Sequence, residues 1–249
     1  MAKFSYLIFL LPLFSFAESN ISNESEFALL QTGGNSVVET YNAKTMTTLE
    51  VGKSSYILSG HYTLSKSEKV DEQTNEKDVV ESARNWDVML KYERELSKSF
   101  SGYTAFSIEG DKFKGIKQRE NLDLGAKYFV AKTKKFNSFV ELGARYSVEK
   151  TTTRDEDGDD VFRYSKGRLF YQLEHKKVEH MSYKFWIEYL PNFTEHEDYI
   201  ISYEPSISFV LSDVFSLKTA YKGIYDNQPN EDANEYTDYT FTTSLLAKF

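Results

Sequence analysis

Apolar and polar residues alternate with a period of two along most of the chain. In the last segment Tyr239, Phe241, Thr243, Leu245, Ala247 and Phe249 share one face, opposite Thr240, Thr242, Ser244 and Lys248; Leu246 breaks the rule. Phe215, Leu217, Thr219 and Tyr221 alternate with Ser216, Lys218 and Lys222, and Val140, Leu142, Ala144, Tyr146 and Val148 with Glu141, Gly143, Arg145, Ser147 and Glu149. Leu122 to Val130 and Trp86 to Tyr92 repeat the pattern. A β-strand points successive side chains to opposite faces, so a wall between lipid and a polar interior must alternate in this way. Such segments predict about twelve strands, at residues 25–32, 36–51, 54–67, 82–96, 99–112, 117–132, 136–151, 161–176, 181–194, 199–212, 214–226 and 237–249.

A soluble sandwich also alternates, and the lengths and connections decide between the two. Most segments reach the roughly 9–11 residues a spanning strand needs, well above the globular mode of about 5–6. The connections alternate short and long. Val51 to Ser54, Ser97 to Ser99, Thr133 to Lys135 and Ser212-Asp213 are tight, whereas Ser67 to Ala83, Thr151 to Asp160, Thr194 to Asp198 and Asp226 to Thr237 are longer and polar. Short periplasmic turns and longer outer loops are the habit of outer-membrane barrels. Gly33-Gly34-Asn35 is the expected exception, a tight outer turn. The expected fold is all-β, a transmembrane antiparallel barrel with both termini periplasmic, closed by pairing of the last strand with the first.

Composition sharpens this reading. The chain has 18 Tyr and 19 Phe, which suit strands and a lipid–water boundary. Mean hydropathy is -0.52, so the membrane signal lies in the alternation and not in any long apolar run. There is no Cys, which removes disulfides and thiolate metal sites, and the net charge of -8 argues against nucleic acid as a partner. At the N-terminus, Lys3 followed by the apolar run Phe4 to Phe16 and Ser15-Phe16-Ala17 predicts a secretory signal peptide over 1–17, with the barrel domain over 18–249. The polar stretch Glu18 to Glu26 is expected to be loosely tethered.

Candidate chemistry centres on charges that the alternation turns inward: Lys91, Glu93, Asp123, Lys127, Glu141, Arg145, Arg168, Glu188, Glu204, Lys218 and Lys222. In a narrow lumen such charges must pair or meet water, so they either brace the barrel or line a path that selects solutes. Phe139, Phe170 and Trp186 also face inward and favour a constricted lumen. Of the four histidines His61 faces inward, His175 and His180 flank a tight turn and His196 sits in an outer loop, so no Ser-His hydrolase set is expected to converge. The run Asp155 to Asp160 has Gly158 as its fourth residue, where a helical calcium loop needs Gly at its sixth. It reads as a solvated acidic loop, with weak divalent binding as the alternative, and neither a metal nor a cofactor is expected.

Three stretches resemble a known family. Gln31-Thr32-Gly33-Gly34-Asn35-Ser36, Lys91-Tyr92-Glu93-Arg94-Glu95-Leu96-Ser97 with Leu124-Gly125-Ala126-Lys127-Tyr128, and the closing Leu217 to Gly223, Asn227-Gln228-Pro229 and Thr237 to Phe249 are similar to the YdiY-like, salt-induced outer membrane proteins. That resemblance implies a barrel in the cell outer membrane and carries over no catalytic residues. The expected function is an outer-membrane barrel of unknown specific role, a narrow channel for small solutes and not an enzyme. The alternatives are a non-conducting structural barrel with acidic outer loops and, remotely, a membrane hydrolase. Expected partners are outer-membrane lipid and lipopolysaccharide, and the barrel-assembly machinery during insertion, with Phe249 as the terminal assembly signal. The solute itself is left open.

Overall fold

A computed structural model describes residues 19–33, 37–70, 77–154, 158–178, 180–229 and 235–249, with the side chains of 70, 177 and 178 excepted. The expected signal peptide, the outer turn at 34–36 and the acidic residues 155–157 lie outside the described residues. Twelve strands follow in order: β1 (Ser19–Thr32), β2 (Val38–Val51), β3 (Ser54–Val70), β4 (Lys77–Ser97), β5 (Phe100–Asp111), β6 (Ile116–Lys132), β7 (Phe136–Thr151), β8 (Val161–Val178), β9 (Met181–Pro191), β10 (Tyr199–Val210), β11 (Phe215–Asp226) and β12 (Thr237–Lys248). Each is antiparallel to its neighbours in sequence, and β1 pairs with β12 to close a barrel. An even number of strands brings Ser19 and Phe249 to the end that carries the tight turns; Asn23 and Phe249 exchange backbone hydrogen bonds there at 3.0 and 2.9 Å.

The strand limits follow the alternation closely, with two clear departures. β1 begins at Ser19, so the stretch expected to be a loose tether is a strand, registered with β2 from Ser19↔Val51 to Thr32↔Val38. It lacks an alternating apolar face because its order comes from the partner strand and from side-chain hydrogen bonds. Asn23 Nδ2 donates to the hydroxyls of Thr45 and Thr47 at 3.2 and 2.9 Å, and the Ser25 hydroxyl donates to Asn23 Oδ1 at 2.8 Å. The long connection after β3 is also shorter than expected, since β3 and β4 pair out to Val70↔Lys77 across a bulge at Ser65/Lys66.

The barrel is inside out relative to a soluble protein. Seven hydrophobic residues are buried among those described, against sixteen polar or charged ones, so the packed interior is mainly polar. Leu58, Leu90, Leu122, Leu124, Leu142 and Phe241 stand exposed on the outer face. Aromatic rows edge that apolar belt: Tyr56–Tyr92 towards the tight turns, and Tyr189–Tyr199–Tyr225 and Tyr203–Tyr221–Tyr239 towards the long loops. Gly52, at φ 59°, makes the tight β2–β3 turn in a backbone region that other residues rarely adopt.

Candidate functional site: the charged lumen

The lumen is proved by contacts that cross it. Lys91 on β4 meets Glu141 on β7 at 2.5 Å although two strands separate them, and Lys218 on β11 meets Glu26 on β1 at 3.0 Å across β12. Lys44 on β2 lies 3.8 Å from Glu204 on β10. Side chains of non-adjacent strands can meet in this way only on the concave face of a closed sheet.

One wall of the lumen, from β4 to β9, carries a dense network. Arg145 binds its cross-strand partner Asp123 through two parallel bonds, Nε to Oδ1 at 2.6 Å and Nη2 to Oδ2 at 2.8 Å. Such a fork fixes geometry as well as charge. Arg168 donates to Glu188 at 2.6 Å, to Glu141 at 2.7 Å and to the Tyr103 hydroxyl at 2.9 Å. Glu141 is thereby shared between Arg168 and Lys91, and Lys127 bonds Glu93 at 3.0 Å. Aromatic rings complete this wall: Lys127 Nζ lies 4.1 Å from the Phe139 ring centre and the Arg168 guanidinium carbon 5.0 Å from that of Phe170, while Phe170 stacks on Trp186. Cation and ring attract through the ring quadrupole, more strongly once water is excluded.

Tyr103 can lie across this wall because two glycines make room for it. A Cβ on Gly125 would stand 2.6 Å from the Tyr103 hydroxyl oxygen and one on Gly143 2.7 Å, both well inside contact distance. The two glycines face each other across β6 and β7 on the inward face. Towards the long loops, Arg119 bridges Glu109 at 2.9 Å and Glu149 at 2.5 Å, and Lys166 lies 3.5 Å from Asp198.

The other wall, from β10 through β12 to β3, is sparse. Lys218 is held between Glu26 and Glu204 at 3.0 Å each, and Ser244 donates to Glu26 at 2.9 Å. Lys222 faces inward opposite Thr240 and, among the described residues, takes part in no hydrogen bond or ion pair; the charges that act on it are those of Lys44, Glu204, Asp87 and Lys114. His61 occupies the same wall. Its Nδ1 lies 3.1 Å from Asp87 Oδ1 and its Nε2 2.9 Å from Thr63 Oγ1, while Asn42 Nδ2 donates to that same hydroxyl at 2.7 Å. These partners favour the tautomer with the proton on Nδ1 and order the chain Asn42→Thr63→His61→Asp87.

All eleven charges named from the sequence point into the lumen, ten of them in ion pairs and Lys222 apart from them. Glu26, Lys44, Tyr103 and the Arg119 cluster belong to the same interior and went unnamed. Glu26 fell in the stretch read as a tether, and the inward pair Gly125 and Gly143 was the available signal for a large residue such as Tyr103. The other histidines stay apart: His175 packs against Phe136 near a tight turn, His180 lies in the next tight turn, and His196 is in the β9–β10 connection. Among the described residues no cluster of His, Asp or Glu could hold a metal ion.

Comparison with solved structures places the fold. The NanC porin is similar over 92% of this chain and 98% of its own, at a TM-score of 0.51 and 8% identity. The KdgM porin is similar over 91% and 96%, with a TM-score of 0.44 and 12% identity, and the translocator domain of the autotransporter NalP from Neisseria meningitidis over 93% and 87%, with 0.43 and 8%. The likeness to NanC shows a porin-like barrel fold. No curated protein matches the sequence. Residues 25–249 match the model of DUF481, described as a protein of unknown function, and the chain belongs to that family.

Proposed function

Starting from membership of a family whose function is unknown, we propose that this chain is an outer-membrane barrel that passes small solutes through a narrow, off-centre lumen. The observation that carries the reading is the asymmetry of the interior. Ion pairs and rings fill the β4–β9 side, while the opposite side presents Lys222, which pairs with no described residue, and part-exposed Lys44 and His61. Barrels of about eight strands are just filled by side chains and those of 16–18 leave an aqueous channel, so twelve strands with one packed wall suit a restricted path along the other.

The apolar belt between aromatic rows supports an outer-membrane address, with lipid and lipopolysaccharide around it. In this reading residues 1–17 are the secretory signal, and Phe249 serves as the terminal signal to the barrel-assembly machinery. We also propose a closer kinship to the YdiY-like, salt-induced proteins, for which Leu217 to Gly223, Asn227-Gln228-Pro229 and Thr237 to Phe249 are the best match.

Single-channel recording in planar bilayers tests the proposal. Discrete conductance steps whose ion selectivity changes with Lys222→Glu are the expected result, and a silent bilayer with correctly folded protein overturns it. Silence would favour a non-conducting structural barrel, a reading that the chord from Lys44 to Glu204 supports. The hydrolase reading draws on the chain Thr63–His61–Asp87, which has the nucleophile–base–orienter order of acyl transfer. Lipid turnover that is unchanged by His61→Ala removes it.

A further inference from the structure

The barrel is closed by a seam unlike its other eleven. β1 and β12 register over five residue pairs only, from Asn23↔Phe249, which exchange both backbone hydrogen bonds, through Glu24↔Lys248 to Phe27↔Leu245. On their other sides the same strands are fully paired: β1 with β2 over fourteen pairs and β12 with β11 over eleven. Above Phe27 and Leu245 the two strands register with each other no further, and no other described strand pairs with the edges they turn to each other. Exposure shows the same separation. In β4 exposure alternates with the face from Asn85 to Lys91, where the strand is paired on both sides. In β1 every residue from Leu29 to Thr32 is exposed, and in β12 every residue from Thr237 to Phe241, whichever face it belongs to. Leu30 points inward and is still 53% exposed.

The gap opens within the apolar belt. Its sides carry Leu29 and Leu30 on β1 and Phe241, Thr242 and Thr243 on β12, with no charge among them. Its foot is fixed by Glu26, which takes hydrogen bonds from Ser244 and Lys218. On the outer face beside that foot lies a trough of about 730 Å³ walled by Phe27, Tyr62, Trp86 and Leu245. Unpaired backbone groups facing hydrocarbon are strongly unfavourable, so irregular edges persist in membranes only where they line a cavity or meet a polar partner. A wall gap with apolar and hydroxyl sides, polar edges and an apolar trough beside it matches a molecule that is part polar and part hydrocarbon.

We propose that the seam between β1 and β12 is a lateral port, through which an uncharged amphiphile with a hydrocarbon chain passes between the outer half of the lumen and the surrounding bilayer. The port requires the outer-membrane address proposed above but not ionic conduction, because its path leaves the lumen before the network of the β4–β9 wall.

The chain has no cysteine, so the port can be locked by design. Continuing the register beyond Phe27↔Leu245 sets Leu30 opposite Thr242, both inward. The double variant Leu30→Cys, Thr242→Cys is placed in the outer membrane of intact cells, and heat-modifiable migration checks that it has folded. A short bifunctional thiosulfonate then bridges the pair. The readout is uptake of phenylnaphthylamine, an uncharged probe that fluoresces on entering the bilayer. The expected result is uptake above that of cells lacking the protein, lost on bridging and restored by dithiothreitol. Equal uptake in bridged and unbridged cells overturns the port. So does spontaneous disulfide formation by the pair without a linker, which would show the edges already abut. A disulfide dimer of Leu30→Cys alone would show a second copy on the edge and overturns it as well. Planar bilayers separate the two proposals: uptake controlled by the lock with silent bilayers keeps the port and removes the channel, and conductance with uptake indifferent to the lock does the reverse.

Discussion

The two sides of the lumen use the same strand alternation to opposite ends. On β4–β9 the inward positions hold large charged and aromatic side chains that satisfy one another: Glu141 alone joins Lys91 to Arg168, and Tyr103 lies across Gly125 and Gly143. On β12 the inward Thr240, Thr242 and Ser244 are short and hydroxyl-bearing, the closing seam holds over five pairs, and Lys222 on the neighbouring β11 pairs with no described residue. A closed sheet thus need not be uniform. Where side chains bond across the strands the wall is cemented, and where the closing strands part an edge remains.

The largest effect should come from removing the hub of the cemented side. Glu141→Ala leaves Lys91 and Arg168 without their shared acceptor in a buried setting. Removing one partner of a buried ion pair costs about 3–5 kcal/mol. Urea unfolding of the vesicle-inserted barrel, followed by tryptophan fluorescence, should shift its midpoint accordingly, while Glu204→Ala on the sparse side should shift it less. An equal shift for both would erase the contrast between the walls.

Next in size is the seat of Tyr103. Gly125→Ala puts a methyl 2.5 Å from the Leu142 carbonyl oxygen and 2.6 Å from the Tyr103 hydroxyl oxygen. Overpacking of this kind costs roughly 1–3 kcal/mol. Removing the hydroxyl in the double variant with Tyr103→Phe leaves the clashes with the Leu142 carbonyl and, at 2.7 Å, with ring carbon Cζ, so only part of the loss should return; complete recovery in the same unfolding assay would place the strain on the hydroxyl alone.

These two residues also mark what could be read from the chain before its structure. Alternation locates strands and assigns faces because its period is set by the backbone, and so the inward side of Glu141 and the inward pair Gly125 and Gly143 were legible. Which inward residues touch was not legible. Lys91 and Glu141 are fifty positions apart, and their meeting depends on the stagger and curvature of the closed sheet, which local periodicity does not encode. The start of β1 was lost for a related reason: Asn20 to Ser25 carries no apolar stripe, and its order is supplied by β2. The short seam between the first and last strands escaped altogether, because nothing in either strand states how far it pairs with the other.

The sparse wall should respond in function and hardly in stability. Lys222→Glu breaks no hydrogen bond or ion pair among the described residues, and it sets a carboxylate among charges of both signs, Lys44 and Lys114 with Glu204 and Asp87. The unfolding midpoint should therefore hold while the reversal potential in a salt gradient moves towards cation preference, since the change reverses a charge beside Lys44. Arg145→Glu is the contrasting variant. It strips Asp123 of a two-bond partner on the packed wall, so any change in its conductance would arrive together with a loss of stability. Selectivity that followed Arg145 and ignored Lys222 would move the solute path to the opposite side of the barrel.

The smallest effect lies outside both walls. Lys77 and Glu68 pair at 2.7 Å near the loop ends of β4 and β3, with the lysine side chain largely in water. Exposed pairs of this kind contribute about 0–1 kcal/mol and weaken as salt rises. Lys77→Ala should leave the unfolding midpoint almost unchanged, and the little it changes should vanish at high ionic strength. The loss from Glu141→Ala should persist there, because ions cannot screen charges that the lumen shields from solvent. Salt thus separates the two kinds of bond by a measurement independent of their size. If the Glu141 effect faded with salt as readily as the Lys77 effect, the β4–β9 wall would be open to water, and the distinction between a packed side and a free side would fail.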